Sequence, residues 1–328
     1  MIEESLMKEI KNIKSKIKTN DTPIAIQIPE GLKQYSTEIL EHLKDYKPVL
    51  FVDPCFGACD LKDSEAKKLG CKLLIHFGHY KMDTPEIKTI FVPLNYLLKK
   101  ENIEFIANVI KKQNLNKINL VTTIQYLENV NSIKKELANK GIETIECKQT
   151  NRTKPNMILG CDCSTISDQL HQIVFIGDGA FHANNIAIMH PDQEIIAISP
   201  LTKQVSHIRI NEDFIRKRFG MIALARKATS FGILVSTKKG QNRIKLAMTI
   251  KKILEKNKKK AYLLVSDYIK QDYLYGINVD CYINTACPRI TYDDTSLFKK
   301  PMIAPAEIEI VLNKKLTEDI KLKIDQIT

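Results

Sequence analysis

The chain has 328 residues, 44% of them apolar and 27% charged, with only 12 glycines and 12 prolines; that is too long for one ordinary core, and the composition is neither disordered nor fibrous. No apolar run approaches the roughly 20 residues of a membrane helix, and the opening MIEESLMKEIKNIK carries acids where a secretory leader needs an apolar stretch, so a cytoplasmic chain without membrane association is expected. The formal net charge of +12 is unevenly spread: residues 1–200 hold 25 basic and 25 acidic side chains, whereas residues 201–328 hold 25 and 13, which makes the last third a basic surface able to steer an anionic partner.

Short, continuous runs rich in Ile and Val predict strands buried on both faces. In chain order they are 23–29, 48–53, 72–78 and 88–94, then 118–123, 142–147, 156–161, 172–178 and 194–199, then 231–237, 261–267, 281–287 and 301–305. Between them, 33–46 puts Ile39, Leu40 and Leu43 on one helical stripe, 99–113 does so with Ile103, Ile106 and Ile110, and 240–259 with Leu246, Ile250, Ile253 and Leu254. The alternation predicts an α/β fold of three similar domains, each a small parallel sheet flanked by helices, over 1–112, 113–206 and 207–328. No linker rich in Pro, Gly or Ser separates them, so tight packing around a shared site is expected.

Six of the eight cysteines fall in pairs, one pair per domain: Cys55 and Cys59, Cys161 and Cys163, Cys281 and Cys287. Without a secretory leader they do not read as a disulfide framework. Zinc knuckles need Cys-x2-Cys, which is absent, and the Cys-x3-Cys-x2-Cys loop of conventional radical enzymes is incomplete, because Lys62 stands where its third cysteine belongs. Each pair has a member at the carboxyl end of a predicted strand, where open parallel sheets bind ligands. Three thiolates from three such ends would hold a four-iron cluster with one iron open. The other reading, small buried residues ending strands, stays open on spacing alone.

Seven strings in order narrow the choice: IPEGL (28–32), DPCFGACDL (53–61), LLIHFGH (73–79), ILGCD (158–162), FIGDGAFH (175–182), RFGMIALAR (218–226) with GILVST (232–237), and TACPRI (285–290). Together they resemble the 2-(3-amino-3-carboxypropyl)histidine synthase family, which performs the first step of diphthamide synthesis, in its archaeal single-polypeptide form. One departure is Ala183, where the family often has proline after Phe-His. The resemblance implies a 4Fe-4S cluster on Cys59, Cys161 and Cys287, with Cys163 close enough to keep the second position open, and packing or loop roles for Cys55, Cys71, Cys147 and Cys281. It implies S-adenosylmethionine as substrate, cleavage that releases methylthioadenosine, and transfer of the 3-amino-3-carboxypropyl group to a histidine of translation elongation factor 2. It also implies a homodimer, and leaves the electron donor unassigned.

Polar turns after strands supply candidates for holding that substrate: Gly177, Asp178 and Gly179 in the middle domain, and Ser236, Thr237, Gly240 and Gln241 in the last. Arg289, beside Cys287, is placed to donate to cluster sulfide or to a carboxylate. His76, His79 and His182 lie near predicted strand ends and read as structural imidazoles. The basic stretches Lys238–Lys239 and Lys251–Lys260 are expected to help dock the elongation factor. Direct nucleic-acid binding is not expected, since Trp is absent, aromatics are 7%, and no recognised motif occurs. Two alternatives remain on the residues: an iron-sulfur dehydratase like quinolinate synthase, and a non-catalytic RNA- or ribosome-associated protein.

Overall fold

The computed structural model describes residues 2–167, 170–313, 322 and 324–327. It begins with helix α1 (Ile2–Lys16), which sinks Leu6, Ile10 and Ile13 into the core of the first sheet; their spacing of four and three puts them on one helical face. That sheet consists of β1 (Ile24–Gln27), β2 (Pro48–Phe51), β3 (Leu73–Phe77) and β4 (Lys88–Val92), in the order β2-β1-β3-β4. All its pairs are parallel. Helices α2 (Ser36–His42) and α3 (Asp63–Lys68) make its first two crossovers.

The second sheet follows α4 (Lys100–Lys112). It contains β5 (Lys117–Thr122), then α5 (Val130–Asn139), β6 (Glu143–Thr144), β7 (Gln172–Ile176), α6 (Phe181–Met189), β8 (Ile195–Ile198) and β9 (Val205–Ile208), with strand order β6-β5-β7-β8-β9. The third sheet follows α7 (Glu212–Lys227) and runs through β10 (Ser230–Ser236), α8 (Ile244–Lys256), β11 (Lys260–Ser266), β12 (Cys281–Asn284), α9 (Pro288–Tyr292), β13 (Met302–Ile303) and α10 (Ile308–Leu312), with order β11-β10-β12-β13. The fold is thus α/β, with three small sheets flanked by helices, parallel except where β9 folds back on β8 through a tight turn closed by Ser199 N–H on the Gln204 carbonyl. In each sheet the chain lays down its first strand, places the second on one side and the third on the other. That reversal opens a crevice at the carboxyl ends of the first and third strands.

Every residue of β1, β3 and β12 is buried, whereas the outer strands β2, β4 and β11 are partly exposed. Lys88 and Lys260 begin two of those outer strands, charges of the kind that discourage edge pairing. Each sheet has its own apolar core, centred on Ile26 and Ile75, on Leu120 and Val174, and on Ile233 and Ile283.

Two compact units result. The first holds the described residues within 1–159, 164–180 and 195–207, and so carries the first two sheets; the second holds 160–163, 181–194 and 208–328, and so carries the third. Helix α6 joins two strands of the second sheet in sequence, yet it belongs to the second unit together with the Cys161–Cys163 stretch.

Two features differ from the sequence expectation. Residues 156–161 are a loop with isolated bridges, among them Met157 to Thr122 at the end of β5, and no strand. Asn156 adopts a left-handed backbone with φ 63, which interrupts an extended run however apolar its neighbours. Strand β9 is an addition to the expected set, because an exposed edge strand reading Val-Ser-His-Ile lacks a buried apolar run.

Arg218 of α7 stabilises the second unit from within. It is 3% exposed and pairs with fully buried Glu307 through Nε at 2.9 Å and through Nη2. Its remaining protons go to the carbonyls of Thr291 and Met302 and to the Thr295 hydroxyl oxygen, and Glu307 accepts the backbone N–H of Ala304. Arg218→Met leaves a buried, uncompensated carboxylate and is expected to cost about 3–5 kcal/mol, read as a lower urea midpoint. Arg218→Met with Glu307→Leu recovers part of the loss, and a single variant as stable as the parent would contradict this account.

Candidate functional site

In the first unit, Cys59 lies on the loop leaving the carboxyl end of β2, in a short 3-10 turn over Ala58–Asp60. The neighbouring strands grip this loop through Gln27, the last residue of β1, which is 1% exposed. Its Nε2 donates to the Asp60 carbonyl at 2.6 Å and its Oε1 accepts the Lys62 N–H at 3.2 Å. Gln27 stands in register with His76 on β3, whose Nδ1 lies 2.9 Å from the same Oε1. His76 Nε2 in turn lies 3.0 Å from Nδ1 of His79. Cys55, His76 and His79 each bring one ligand atom within 4.8 Å of the other two. Burial drives His79 down to about 4 and His76 well below its ordinary value, so both rings are neutral at pH 7.

Also in the first unit, Gly177, Asp178 and Gly179 follow β7. A side chain at 177 would meet the Phe175 ring at 2.5 Å, so the turn requires glycine there by close approach. Both oxygens of Asp178 accept hydroxyl protons, from Tyr126 and, at 2.5 Å, from Ser199. Burial, followed by the bond to Asp178, raises the Tyr126 phenol so that it stays protonated. Asp178 therefore ties the turn before β9 to the segment after β5.

In the second unit, the Gly160–Cys163 stretch and Arg289 come together around α6. A Cβ at Gly160 would lie 2.9 Å from the Phe181 ring, so glycine before Cys161 lets that ring lie close against the loop. The Arg289 guanidinium stacks over that ring at 4.6 Å and donates Nη1–H to Asn185 Oδ1 at 2.5 Å. Asn185 Nδ2 donates to the Cys163 sulfur at 3.4 Å. Nη2 of Arg289 bonds Asp293 at 2.7 Å, while its buried Nε finds no acceptor among the described residues. Burial, reinforced by Asp162 and Cys161, pushes the Cys163 thiol up, and burial does the same to Cys281.

Cys287 ends the turn after β12 and caps α9, with Pro288 at the first helical position. Asn284 closes this turn: Nδ2 donates to the Cys287 carbonyl at 2.8 Å and Oδ1 accepts Ala286 N–H at 2.9 Å. Arg243 holds it from outside, donating to the carbonyls of Thr285 and Ala286 at 2.8 and 3.0 Å and forming a two-pronged pair with Asp325 at 2.9 and 2.6 Å. The neighbours of Asp325 reach the other cysteine loop: Ile327 N–H donates to the Cys161 carbonyl, and Gln326 Oε1 accepts Cys163 N–H, both at 3.1 Å. Residues 325–327 thus strap the Cys161 loop to the Cys287 turn within one unit.

The remaining candidates lie past β10. Ser236 is its last residue and accepts the Lys238 N–H at 3.1 Å; exposed Thr237 donates to Asp267 at 3.2 Å; Gln241 is buried. The Lys238 ammonium sits 3.7 Å over the Tyr268 ring. His182 packs edge-on to Phe181. Among the basic residues, Lys256, Lys258 and Lys260 are exposed, whereas Lys259 donates to the Ala228 carbonyl at 2.6 Å.

Sequence reasoning passed over Gln27, Asn185, Asn284, Arg243, Asp325 and Gln326. Three of these carried a signal: an amide inside an otherwise apolar run is buried and demands partners. Arg243 and Asp325 are 82 residues apart and carried none.

Comparison with known proteins gives a consistent result. The profile of the diphthamide synthesis protein family matches residues 28–321. The 2-(3-amino-3-carboxypropyl)histidine synthase of Pyrococcus horikoshii is 37% identical over 316 residues, covering 94% of this chain and 89% of that protein. The protein of the same name from Methanocaldococcus jannaschii is 36% identical over 345 residues, covering 99% and 92%. The crystal structure of Dph2 from Pyrococcus horikoshii with a 4Fe-4S cluster shares the fold at TM-score 0.84 and 35% identity, covering 99% of this chain and 93% of that one.

Asp325→Ala removes the carboxylate that holds Arg243 and loosens the strap. Amide hydrogen exchange is expected to quicken by at least about tenfold in both the 160–163 and 284–289 segments, which is about 1.4 kcal/mol of local opening. Unchanged exchange in both segments would contradict the strap.

Proposed function

Because the chain belongs to the diphthamide synthesis protein family, we propose that it is a 2-(3-amino-3-carboxypropyl)histidine synthase that moves the 3-amino-3-carboxypropyl group of S-adenosylmethionine onto a histidine of translation elongation factor 2. The observation that carries this reading is the fold match over 99% of the chain to Dph2, whose crystal structure contains a 4Fe-4S cluster. The cluster ligands we assign are Cys59, Cys161 and Cys287, each on a loop past the carboxyl edge of a different sheet.

The donor set suits such a group. Thiolates are the ligands iron-sulfur clusters take, and Arg289, two residues from Cys287, keeps a buried Nε–H without an acceptor among the described residues, suited to an anionic, sulfur-rich neighbour. The bond from Asn185 to Cys163 gives that sulfur a role inside the unit and supports Cys161 as the ligand. When bound through three cysteines, the cluster supplies one-electron reduction and an iron open to the substrate.

The chain's own residues bind and orient. Ser236, Thr237 and Gln241 offer hydroxyl and amide groups for the polar ends of S-adenosylmethionine, and Gly177, Asp178 and Gly179 offer a close-approach turn and a carboxylate for its sulfonium charge. Arg289 is suited to its carboxylate. Asn284 and Arg243 fix the backbone before Cys287, so the thiolate arrives preoriented. The bond between the sulfonium sulfur and the γ-carbon would break with uptake of one electron, and methylthioadenosine would leave as the neutral thioether. The carbon would join an imidazole carbon whose hydrogen leaves as a proton, the electron being returned as the ring regains aromaticity. Three domains over 1–112, 113–206 and 207–328, a homodimer and a cytoplasmic setting complete the proposal. No helix among the described residues is long and apolar enough to cross a membrane.

The test is anaerobic reconstitution followed by reduction with dithionite in the presence of S-adenosylmethionine. Wild type is expected to release methylthioadenosine. Cys59→Ala, Cys161→Ala and Cys287→Ala are each expected to lose most bound iron and the activity, whereas Cys55→Ala and Cys281→Ala are expected to keep their iron. Deoxyadenosine as the main product would refute the reaction, and full iron in Cys161→Ala with loss in Cys163→Ala would move the second ligand.

A further inference from the structure

Outside the proposed cluster ligands, one side-chain group among the described residues has the composition of a metal site. Cys55, His76 and His79 lie in the first unit, at the carboxyl edge of its first sheet, with one ligand atom of each within 4.8 Å of the other two. His76 is fully buried and Cys55 is 3% exposed. The proposed chemistry does not use any of the three.

The hydrogen bonds fix which nitrogen of each ring carries a proton. The Asp60 carbonyl can only accept, so the Gln27 group facing it is the NH2. The other side of that amide is therefore the oxygen, and it receives the Lys62 N–H. An oxygen facing His76 Nδ1 at 2.9 Å requires that nitrogen to hold the proton. His76 Nε2 then presents a lone pair toward Nδ1 of His79, 3.0 Å away, so the proton between the two nitrogens belongs to His79, whose ring also hydrogen-bonds the Phe77 backbone. A cation seated between them takes the place of that proton. The arrangement is the one metal-binding histidines favour, with the far ring N–H given to a fixed acceptor and the near lone pair turned inward.

We propose that Cys55, His76 and His79 form a second metal site, distinct from the cluster, that takes a divalent borderline ion of the zinc class. One thiolate and two neutral imidazoles suit zinc and leave a fourth position open, in a site that is tetrahedral when complete. Binding displaces the Cys55 thiol proton and moves the His79 proton to its other nitrogen. The consequence is mechanical as well: Cys55 precedes Cys59 by four residues, and Gln27 holds the carbonyl of Asp60, so a metal here clamps the loop carrying the proposed cluster ligand from both ends.

The test uses the full chain with Cys59→Ser, Cys161→Ser and Cys287→Ser, so that the cluster ligands cannot bind the probe. Zinc is titrated in competition with a chelating dye, and cobalt(II) absorption reports thiolate coordination. The expected result is one tightly bound zinc per chain with a cobalt-thiolate band. Affinity should fall by at least about a hundredfold in Cys55→Ala and His79→Gln, and by about 10–100-fold in Gln27→Leu, which keeps every ligand but removes the acceptor that orients His76 together with the bonds to Asp60 and Lys62. Circular dichroism identifies any variant that fails to fold, and the cobalt spectrum of the triple-serine parent stands without them. Absence of tight zinc, or equal affinity in Cys55→Ala and His79→Gln to that of the parent, would overturn the proposal. Neither result bears on the synthase reading, which is measured by methylthioadenosine release from the cluster-loaded wild type.

Discussion

A polar side chain on a strand buried on both faces must find its partners at the strand's end or not at all, and the site is built from that constraint. Gln27 ends β1 and Asn284 ends β12, both fully enclosed strands. Neither amide can be solvated, so each reaches the loop just beyond the sheet and fixes its backbone. One holds Asp60 beside Cys59; the other holds the carbonyl of Cys287 itself. The cysteine loops take their shape from the need to satisfy these buried amides, and the parallel sheet is what brings loop and amide to the same edge.

Charge is handled in the same manner in the second unit, where three arginines point inward. Arg218 answers buried Glu307, Arg243 joins Asp325 to the turn before Cys287, and Arg289 joins Phe181, Asn185 and Asp293. A guanidinium suits these positions because its planar fork makes several directed bonds at once and never loses its proton. Arg289 differs from the other two in keeping one buried donor without an acceptor among the described residues, on the turn that carries Cys287. Such a donor is costly unless a ligand answers it, which is why the site reads as built for an anionic guest.

The fold was readable because parallel strands buried on both faces are nearly continuous apolar runs, and Ile24–Gln27, Leu73–Phe77 and Cys281–Asn284 are of that kind. The same rule misled at 156–161, where apolar composition outweighed a left-handed Asn156, and was silent at β9, a polar edge strand. The cysteine strings stood out in sequence because thiols and small neighbours recur at comparable places in three segments. The bonds that position them did not, since Arg243 meets Asp325, and Gln326 meets Cys163, across intervals of 82 and 163 residues. Cys55, His76 and His79 were each visible, yet read singly as packing residues. Only the fold brings the loop after β2 beside the end of β3.

Family membership, the shared fold and the strapped cysteine loops lead to one central claim, that this chain attaches a 3-amino-3-carboxypropyl group to a protein histidine. The most direct measurement incubates the reduced, cluster-loaded chain anaerobically with S-adenosylmethionine carrying carbon-13 in its aminocarboxypropyl carbons and with elongation factor 2, then sequences the factor's peptides by mass spectrometry. The account predicts the intact labelled group on a ring carbon of one histidine. Consumption of the labelled substrate with no label on the factor, or with label on a residue other than histidine, would contradict it.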